Sequence, residues 1–589
     1  MPIAPIHYRV AMPEPHSHEF HVRMEIPAQA DRDSLEIAFP VWAPGSYLVR
    51  DFSRHVYDLQ ISVDDRPAVC ERIDKSRWRL QTKGRPVTVR YRVFAFEISV
   101  RTSFLDDRRA FLNGTSLFFF VDGELGRPCE LEIEPPEGWR ITTALPAGRG
   151  RPNTYRASSY DELVDAPVEI GRHDVLEFRV GTTGFAIAWQ GPSNVDRRRL
   201  LAILRAIVKT TGDVFGGFPF NRYLFIVHAL SARGGGLEHR NACTLDIAGF
   251  SFEDEKGYQK FAELAAHEFF HAWNVKRIRD RVLGPFDYTK ENYTRLLWFH
   301  EGFTEYMQTM ILLRAGLIVS ERYLQDLSED YTRYAARPGR NVTPLSELSY
   351  EAWIKQYKPA ENHQNRAVSY YDKGRWAGLV LDLVIRLATG GRRGLPDVFL
   401  RLWKRFGEKG RGIDARIIQA EAEAVAGRPL SNYFRNLVDG TAELPVPELL
   451  RKAGVTVEAQ SPHDPSDAVK TARLRSWSGL TFGPNGNCNR AVVKNVVPDS
   501  PAWRAGLTFG DEVIAVDDNR VTSTTAVNRV ADHAPGQIAR LTFFRKDRLR
   551  HAVVRMARTP ERCWAFSIDP DISTATRRLL QRWLGVSLR

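Results

Sequence analysis

Phe261-Ala-Glu-Leu-Ala-Ala-His-Glu-Phe-Phe-His-Ala-Trp273 sets two imidazoles, His267 and His271, four residues apart, with the carboxylate of Glu268 beside the first. The flanking residues are apolar and include neither Pro nor Gly, so the stretch reads as the interior of a packed helix. On a helix, positions i and i+4 share a face, and both imidazoles can reach one cation. Neutral imidazole nitrogen suits zinc, and Glu268 stands where a general base toward water is needed. The structural alternative is a pair of satisfied core histidines.

A catalytic zinc takes a third protein ligand and keeps a further position open. Downstream, Leu296-Leu-Trp-Phe-His-Glu-Gly-Phe-Thr-Glu-Tyr-Met307 reads as a largely buried helix carrying Glu301 and, four residues on, Glu305. Two acids on one apolar helix face need partners, because an unpaired buried charge is expensive. A metal for Glu301, with Glu305 holding one histidine by its other ring nitrogen, satisfies both. His300 is turned about 100° away on the helix and ranks behind Glu301.

Three other stretches carry chemistry. Ala232-Arg-Gly-Gly-Gly-Leu-Glu-His239 places Gly235 and Gly236 before Glu238, a backbone that a ligand can approach closely. Ser369-Tyr-Tyr-Asp-Lys-Gly-Arg-Trp-Ala-Gly-Leu-Val380 opens a long helix with two adjacent phenols, Tyr370 and Tyr371. Near the C-terminus come Gly479-Leu480-Thr481-Phe482, Ala491-Val-Val-Lys-Asn-Val-Val497, Ser500-Pro-Ala-Trp-Arg-Ala-Gly-Leu507 and Gly510-Asp-Glu-Val-Ile-Ala-Val516.

The His-Glu-x-x-His motif followed by Glu-Gly-Phe-Thr resembles the gluzincin metallopeptidases, and the final stretches resemble a bacterial-type PDZ domain. The 29 residues between His271 and Glu301 exceed the spacing of the large alanyl/leucyl aminopeptidases. Together these features resemble the glycyl aminopeptidase family of gluzincins over essentially the whole chain. The resemblance implies a thermolysin-like catalytic domain, Glu301 as third ligand, one zinc ion per chain, and release of N-terminal Gly or Ala from peptides. It further implies that Glu238 holds the substrate's α-amino group and that Tyr371, in Tyr371-Asp-Lys-Gly374, donates to the oxyanion, with Tyr370 as rival. Pro40-Val-Trp-Ala-Pro-Gly-Ser-Tyr47 is also similar to a family segment and is either a wall of the substrate cleft or a structural turn. The Gly479–Phe482 loop would offer backbone N–H groups to a peptide C-terminus. A PDZ module that only packs against its catalytic domain is the alternative.

The chain of 589 residues is too long for one core. Residues 1–175 alternate in the strand manner: Phe20, Val22, Met24 and Ile26, then Tyr57, Leu59, Ile61 and Val63, then Val87, Val89, Tyr91 and Val93. From 176 to 450 the period turns helical, with one apolar strand-like run at Tyr223–Ala229 leading into the glycines. The PDZ-like module spans 475–558, and 559–589 is expected as a helical extension whose Leu579, Leu580, Trp583 and Leu584 dock back on the body. The expected fold class is multidomain α+β: an N-terminal β-sandwich-like domain, a mainly helical catalytic domain and a C-terminal PDZ domain.

Composition excludes little. Hydrophobic residues make up 43% and charged residues 26%, as in ordinary globular chains. Charges interrupt the most apolar stretches, so no membrane span is expected. The start, Met1-Pro-Ile-Ala-Pro-Ile-His-Tyr-Arg-Val10, has no apolar signal core, and the cytoplasm is the expected compartment. Five scattered cysteines (Cys70, Cys129, Cys243, Cys488, Cys563) read as reduced thiols. The net charge of +12 is spread without a basic stripe, and no nucleic-acid partner is expected. A zinc aminopeptidase acting on peptides is thus the leading expectation. A zinc endopeptidase recruiting substrate tails through its PDZ domain and a non-catalytic PDZ scaffold are the alternatives.

Overall fold

The computed structural model describes residues 4–585 apart from 30, 31, 149, 233, 465, 487 and 561. The chain forms two compact units. The first comprises 1–296, 304–318 and 395–425; the second comprises 297–303, 319–394 and 426–589.

The first unit opens with a seven-stranded sheet in which Ile6–Ala11 pairs with both Glu19–Ile26 and Cys129–Glu134. A four-stranded sheet built on Ser34–Ala38 and Arg77–Gln81 shares its core, through Phe20, Val22, Ile37, Trp78, Val89 and Phe119. The alternation in Glu19–Ile26 and Val87–Phe94 is observed as an alternation of burial. In Val56–Val63 it fails, and Tyr57 is half exposed. Asp58 takes a left-handed backbone (φ 51°) and the register slips between Tyr57 and Gln60, a bulge that turns the strand's first half over.

The same unit continues into a five-stranded sheet, where the sequence showed one strand. Its order is Asp174–Val180, Thr183–Gln190, Arg222–Leu230, Ala242–Ala248 and, at the edge, Gly235–Glu238. Thr183–Gln190 and Ala242–Ala248 are buried almost throughout, so neither carries the alternation that marks a one-sided strand. A buried network ties this sheet to the preceding strands. His228 lies between Glu169 (3.0 Å) and Asp246 (2.8 Å), and Arg109 stands 3.5 Å from Glu169. The Glu255–Phe270 helix packs on the sheet and is capped by Asp254, which accepts from the Gly257 N–H at 2.9 Å.

The second unit is helical up to Lys452, with the long Tyr370–Thr389 helix at its centre. Its PDZ part is a six-stranded sheet over a core of Val493, Leu507, Val513, Leu541 and Val554. The tail after this part is not helical alone: Cys563–Ile568 is a strand paired with Val455–Gln460. The Thr574–Leu584 helix follows, burying Leu579, Leu580, Trp583 and Leu584, and Arg386 Nη1 donates to the carbonyl of Arg582 at 3.1 Å. Cys70, Cys129, Cys243 and Cys563 are free thiols; the side chain of Cys488 lies outside the described residues. Among the described residues no helix is long and apolar enough to cross a membrane.

Candidate active site

His267 and Glu268 lie in the last turn of the Glu255–Phe270 helix and His271 follows as its cap, all three buried. Phe261, Ala265, Ala266, Phe269 and Phe270 bury the helix on its other sides, which leaves the imidazole face to polar partners. Glu301 sits on a π-helical turn, Trp298–Gly302, that runs on into the Phe303–Arg314 helix. Such wide turns recur at functional sites because they re-aim a side chain within a continuous helix. One ligand atom from each of His267, His271 and Glu301 lies within 4.8 Å of the other two. His300 is fully buried beside Phe299, with ring centroids 5.4 Å apart, and is outside this group.

Both histidines have their tautomers set. Gln308 Nε2 donates to Glu305 Oε2 (3.1 Å), which turns the amide oxygen of Gln308 toward His267 Nδ1 at 2.8 Å. His271 Nδ1 donates to the carbonyl of Asn274 at 2.8 Å. Each ring thus carries its proton on Nδ1 and turns a lone pair on Nε2 to the shared point. Glu305 Oε1 is 3.5 Å from His267 Nδ1, so the acid expected to hold a histidine directly acts mainly through Gln308. Sequence reasoning missed Gln308, although its position three residues after Glu305 puts both on one helix face. Two imidazole nitrogens and a carboxylate suit zinc and leave room for water.

Glu238, Glu268 and His271 form a second group with the same 4.8 Å limit. Gly235 and Gly236 open the edge strand that carries Glu238, and Gly236 packs directly on Glu268. A Cβ at Gly236 would lie 2.2 Å from Glu268 Oε1. On its other side Glu238 meets the loop expected as cleft wall or turn. A Cβ at Gly45, whose φ is +88°, would lie 2.7 and 2.8 Å from the two oxygens of Glu238. Glycine is required at both places for close approach, and at Gly45 for its backbone as well.

In the second unit, Tyr371 is half-buried in the first turn of the Tyr370–Thr389 helix, where Ser369 Oγ accepts its N–H at 3.1 Å. Tyr370 stacks on it at 4.7 Å and is wholly buried. Gly374 faces Gly302: a Cβ on Gly374 would lie 2.7 Å from the Trp298 carbonyl oxygen and 2.8 Å from Gly302 Cα. This glycine-on-glycine crossing fixes the Tyr371 helix against the turn that carries Glu301.

The PDZ loop is also placed. Gly479 is left-handed (φ +80°), the N–H of Leu480 donates to Ser478 Oγ at 3.2 Å, and Leu480, Thr481 and Phe482 enter the strand Leu480–Asn485 at the sheet's edge. Asn365 Nδ2 donates to Asn495 Oδ1 and to the Val496 carbonyl, both at 2.9 Å, so the module is also held by the helical part of its unit.

Residues 7–172 match the model of the Peptidase M61 N-terminal domain, 260–376 that of M61 glycyl aminopeptidase and 453–556 that of a PDZ domain. A solved structure from Idiomarina loihiensis, described as an aminopeptidase N family protein, is 32% identical, with a TM-score of 0.88 over 98% of this chain and 100% of that one. The chain belongs to the M61 glycyl aminopeptidase family. It is a metallo-aminopeptidase. An M1 zinc metallopeptidase from Deinococcus radiodurans is similar at 12% identity, with a TM-score of 0.47 over 76% of this chain and 96% of that one. No curated protein matches.

Proposed function

We propose that this M61 enzyme releases small N-terminal residues, Gly or Ala, from peptides, with one zinc ion per chain held by His267, His271 and Glu301. The observation that carries the reading is the grouping of Glu238 with Glu268 and His271 inside 4.8 Å. A carboxylate so close to the base and a ligand suits an α-ammonium two bonds from the scissile carbonyl carbon, which is the demand of an exopeptidase.

The zinc, when bound, supplies Lewis acidity that makes water nucleophilic near neutral pH and polarises the scissile carbonyl. Glu268 takes a proton from the attacking water and delivers it to the leaving amine. Glu238 holds the ammonium and so sets which bond lies over Glu268. Tyr371 donates a neutral hydrogen bond to the oxyanion, for which a half-buried residue is better suited than the wholly buried Tyr370. Glu305 and Gln308 hold His267 in the tautomer that ligation needs.

Hydrolysis of a glycyl peptide against its N-acetylated form tests the proposal, with Glu268→Gln and Glu238→Ala alongside. The free peptide should be cleaved and the blocked one spared; Glu268→Gln should keep zinc and lose turnover, and Glu238→Ala should lose the discrimination. Equal cleavage of both peptides would favour the second reading, an endopeptidase that gathers substrate tails by strand addition at the open Leu480–Asn485 edge.

A further inference from the structure

A cavity of about 490 Å³ in the first unit has Glu238 in its wall, together with Gly45, Asp161, Asp165, Arg240 and Arg279. Glu238 therefore stands between this cavity and the Glu268–His271 group. Resting on the aminopeptidase reading, an N-terminal residue pinned by its ammonium at Glu238, with its carbonyl toward Glu268, has one Cα substituent left to place. That substituent is its side chain, and the cavity is the space beside it. Glycine or alanine would leave nearly all of it empty, whereas a glutamate side chain reaches about 5 Å from Cα.

The charges on the wall narrow the class of side chain. Each acid other than Glu238 is engaged. Asp165 accepts from Lys276 Nζ (2.6 Å) and from the Arg240 N–H (2.9 Å). Burial would raise the Asp165 carboxyl, but Lys276 and His239 hold it well below the usual carboxylate range. Asp161 accepts from the Tyr288 hydroxyl at 2.6 Å and, raised by burial, gives up its proton less readily than an exposed acid. Glu162 accepts from the Ser158 N–H at 2.6 Å. Lys276 is committed to Asp165. Among the described residues, the guanidinium groups of Arg279 and Arg240 enter no ion pair within 4 Å, and Arg279 acts only at longer range on Asp161, drawing its carboxyl down against the effect of burial. The Arg279 guanidinium packs against Gly284, where a Cβ would fall 2.1 Å from its Nη1. A guanidinium at a cavity wall can offer paired N–H groups to the two oxygens of a carboxylate.

We propose that this cavity receives the side chain of the N-terminal residue, and that Arg279, assisted by Arg240, selects an acidic one, so that the enzyme releases N-terminal Glu and Asp as well as small residues.

The test compares kcat/KM for glycyl, glutamyl, glutaminyl and lysyl 4-nitroanilides. Glutamyl and glutaminyl groups have nearly the same shape, so their ratio isolates the charge. That ratio should be on the order of tenfold in favour of Glu, with Lys below both. Arg279→Gln should bring the ratio to about one, and Arg279→Lys should restore part of it. Calorimetric binding of free L-glutamate and L-glutamine, the product amino acids, gives the same ranking without turnover and decides the matter in the native enzyme even if a variant fails to fold. A glutamyl substrate no better than the glutaminyl one, a preference for Lys, or a ratio unchanged in folded Arg279→Gln overturns the proposal while glycyl cleavage leaves the aminopeptidase reading standing. Loss of every free-amine substrate, glycyl included, overturns both.

Discussion

A methyl group added at Gly236 lands on the carboxylate of Glu268. The backbone of Gly236 is outside the left-handed region, so alanine adopts it without strain, yet the new Cβ would lie 2.2 Å from Oε1, 2.4 Å from the carboxyl carbon and 2.5 Å from Cγ. Ordinary contact begins near 3.4 Å. The side chain of Glu268 must therefore retreat by about 1 Å, and a displacement of that size at a reacting group costs on the order of 10²-fold in rate. Gly236→Ala should lower kcat by that factor, about 2.7 kcal/mol in the barrier. Zinc content and thermal stability should stay near those of the native enzyme, because the group that moves is a side chain and not a ligand. Steady-state kinetics on a glycyl anilide, with zinc quantified in the same samples, make the measurement. If the loss runs through Glu268, adding Gly236→Ala to Glu268→Gln should cost almost nothing further. A Gly236→Ala enzyme within about threefold of native kcat, or a full additional loss in the double variant, would refute the placement of Glu268 as the base.

Removing the partner of His267 should weaken the proposed metal site: Gln308→Leu should lower zinc affinity about 10- to 100-fold, measured by chelator competition, with the fold retained. Gly374→Ala drives a Cβ into the Trp298 carbonyl and Gly302. It should destabilise the second unit by about 2–3 kcal/mol in urea melts, and unchanged stability would mean that the crossing is loose. Lys373, fully buried near the Thr343 carbonyl, has its ammonium pushed down to about 8 from 10.5 by burial. Between those values the unfolded chain keeps a proton that the folded one has released, so its penalty is fully present below pH 8 and fades as pH rises to 10.5. Lys373→Met should therefore raise Tm at pH 7 by an amount that shrinks toward pH 10; an equal gain at both would show that its charge is not the cause.

The proposed metal ligands were legible because their chemistry is local. His267, Glu268 and His271 lie within one helical turn, and Glu301 was marked by being an acid in an apolar helix. Glu238, Tyr371 and the PDZ loop were reached through resemblance, since nothing in a glycine run or an aromatic pair reports what it will face. What the sequence hid was set by distant packing. Gln308 looks like any helical glutamine until Glu305 orients its amide. Gly45 looks like a turn until Glu238 is found against it. Strands buried on both faces, such as Ala242–Ala248, lack the alternation by which a strand is recognised, and the bulge at Asp58 broke a pattern that looked regular.

The proposed catalysis depends on His267, His271 and Glu301 converging on one zinc ion. Anomalous diffraction on either side of the zinc absorption edge, from crystals of the purified enzyme, measures that directly. One peak per chain should lie about 2 Å from Nε2 of His267, Nε2 of His271 and a carboxylate oxygen of Glu301. A zinc-replete enzyme with its peak elsewhere, or with Glu301 turned away from the ion, would overturn the ligand assignment.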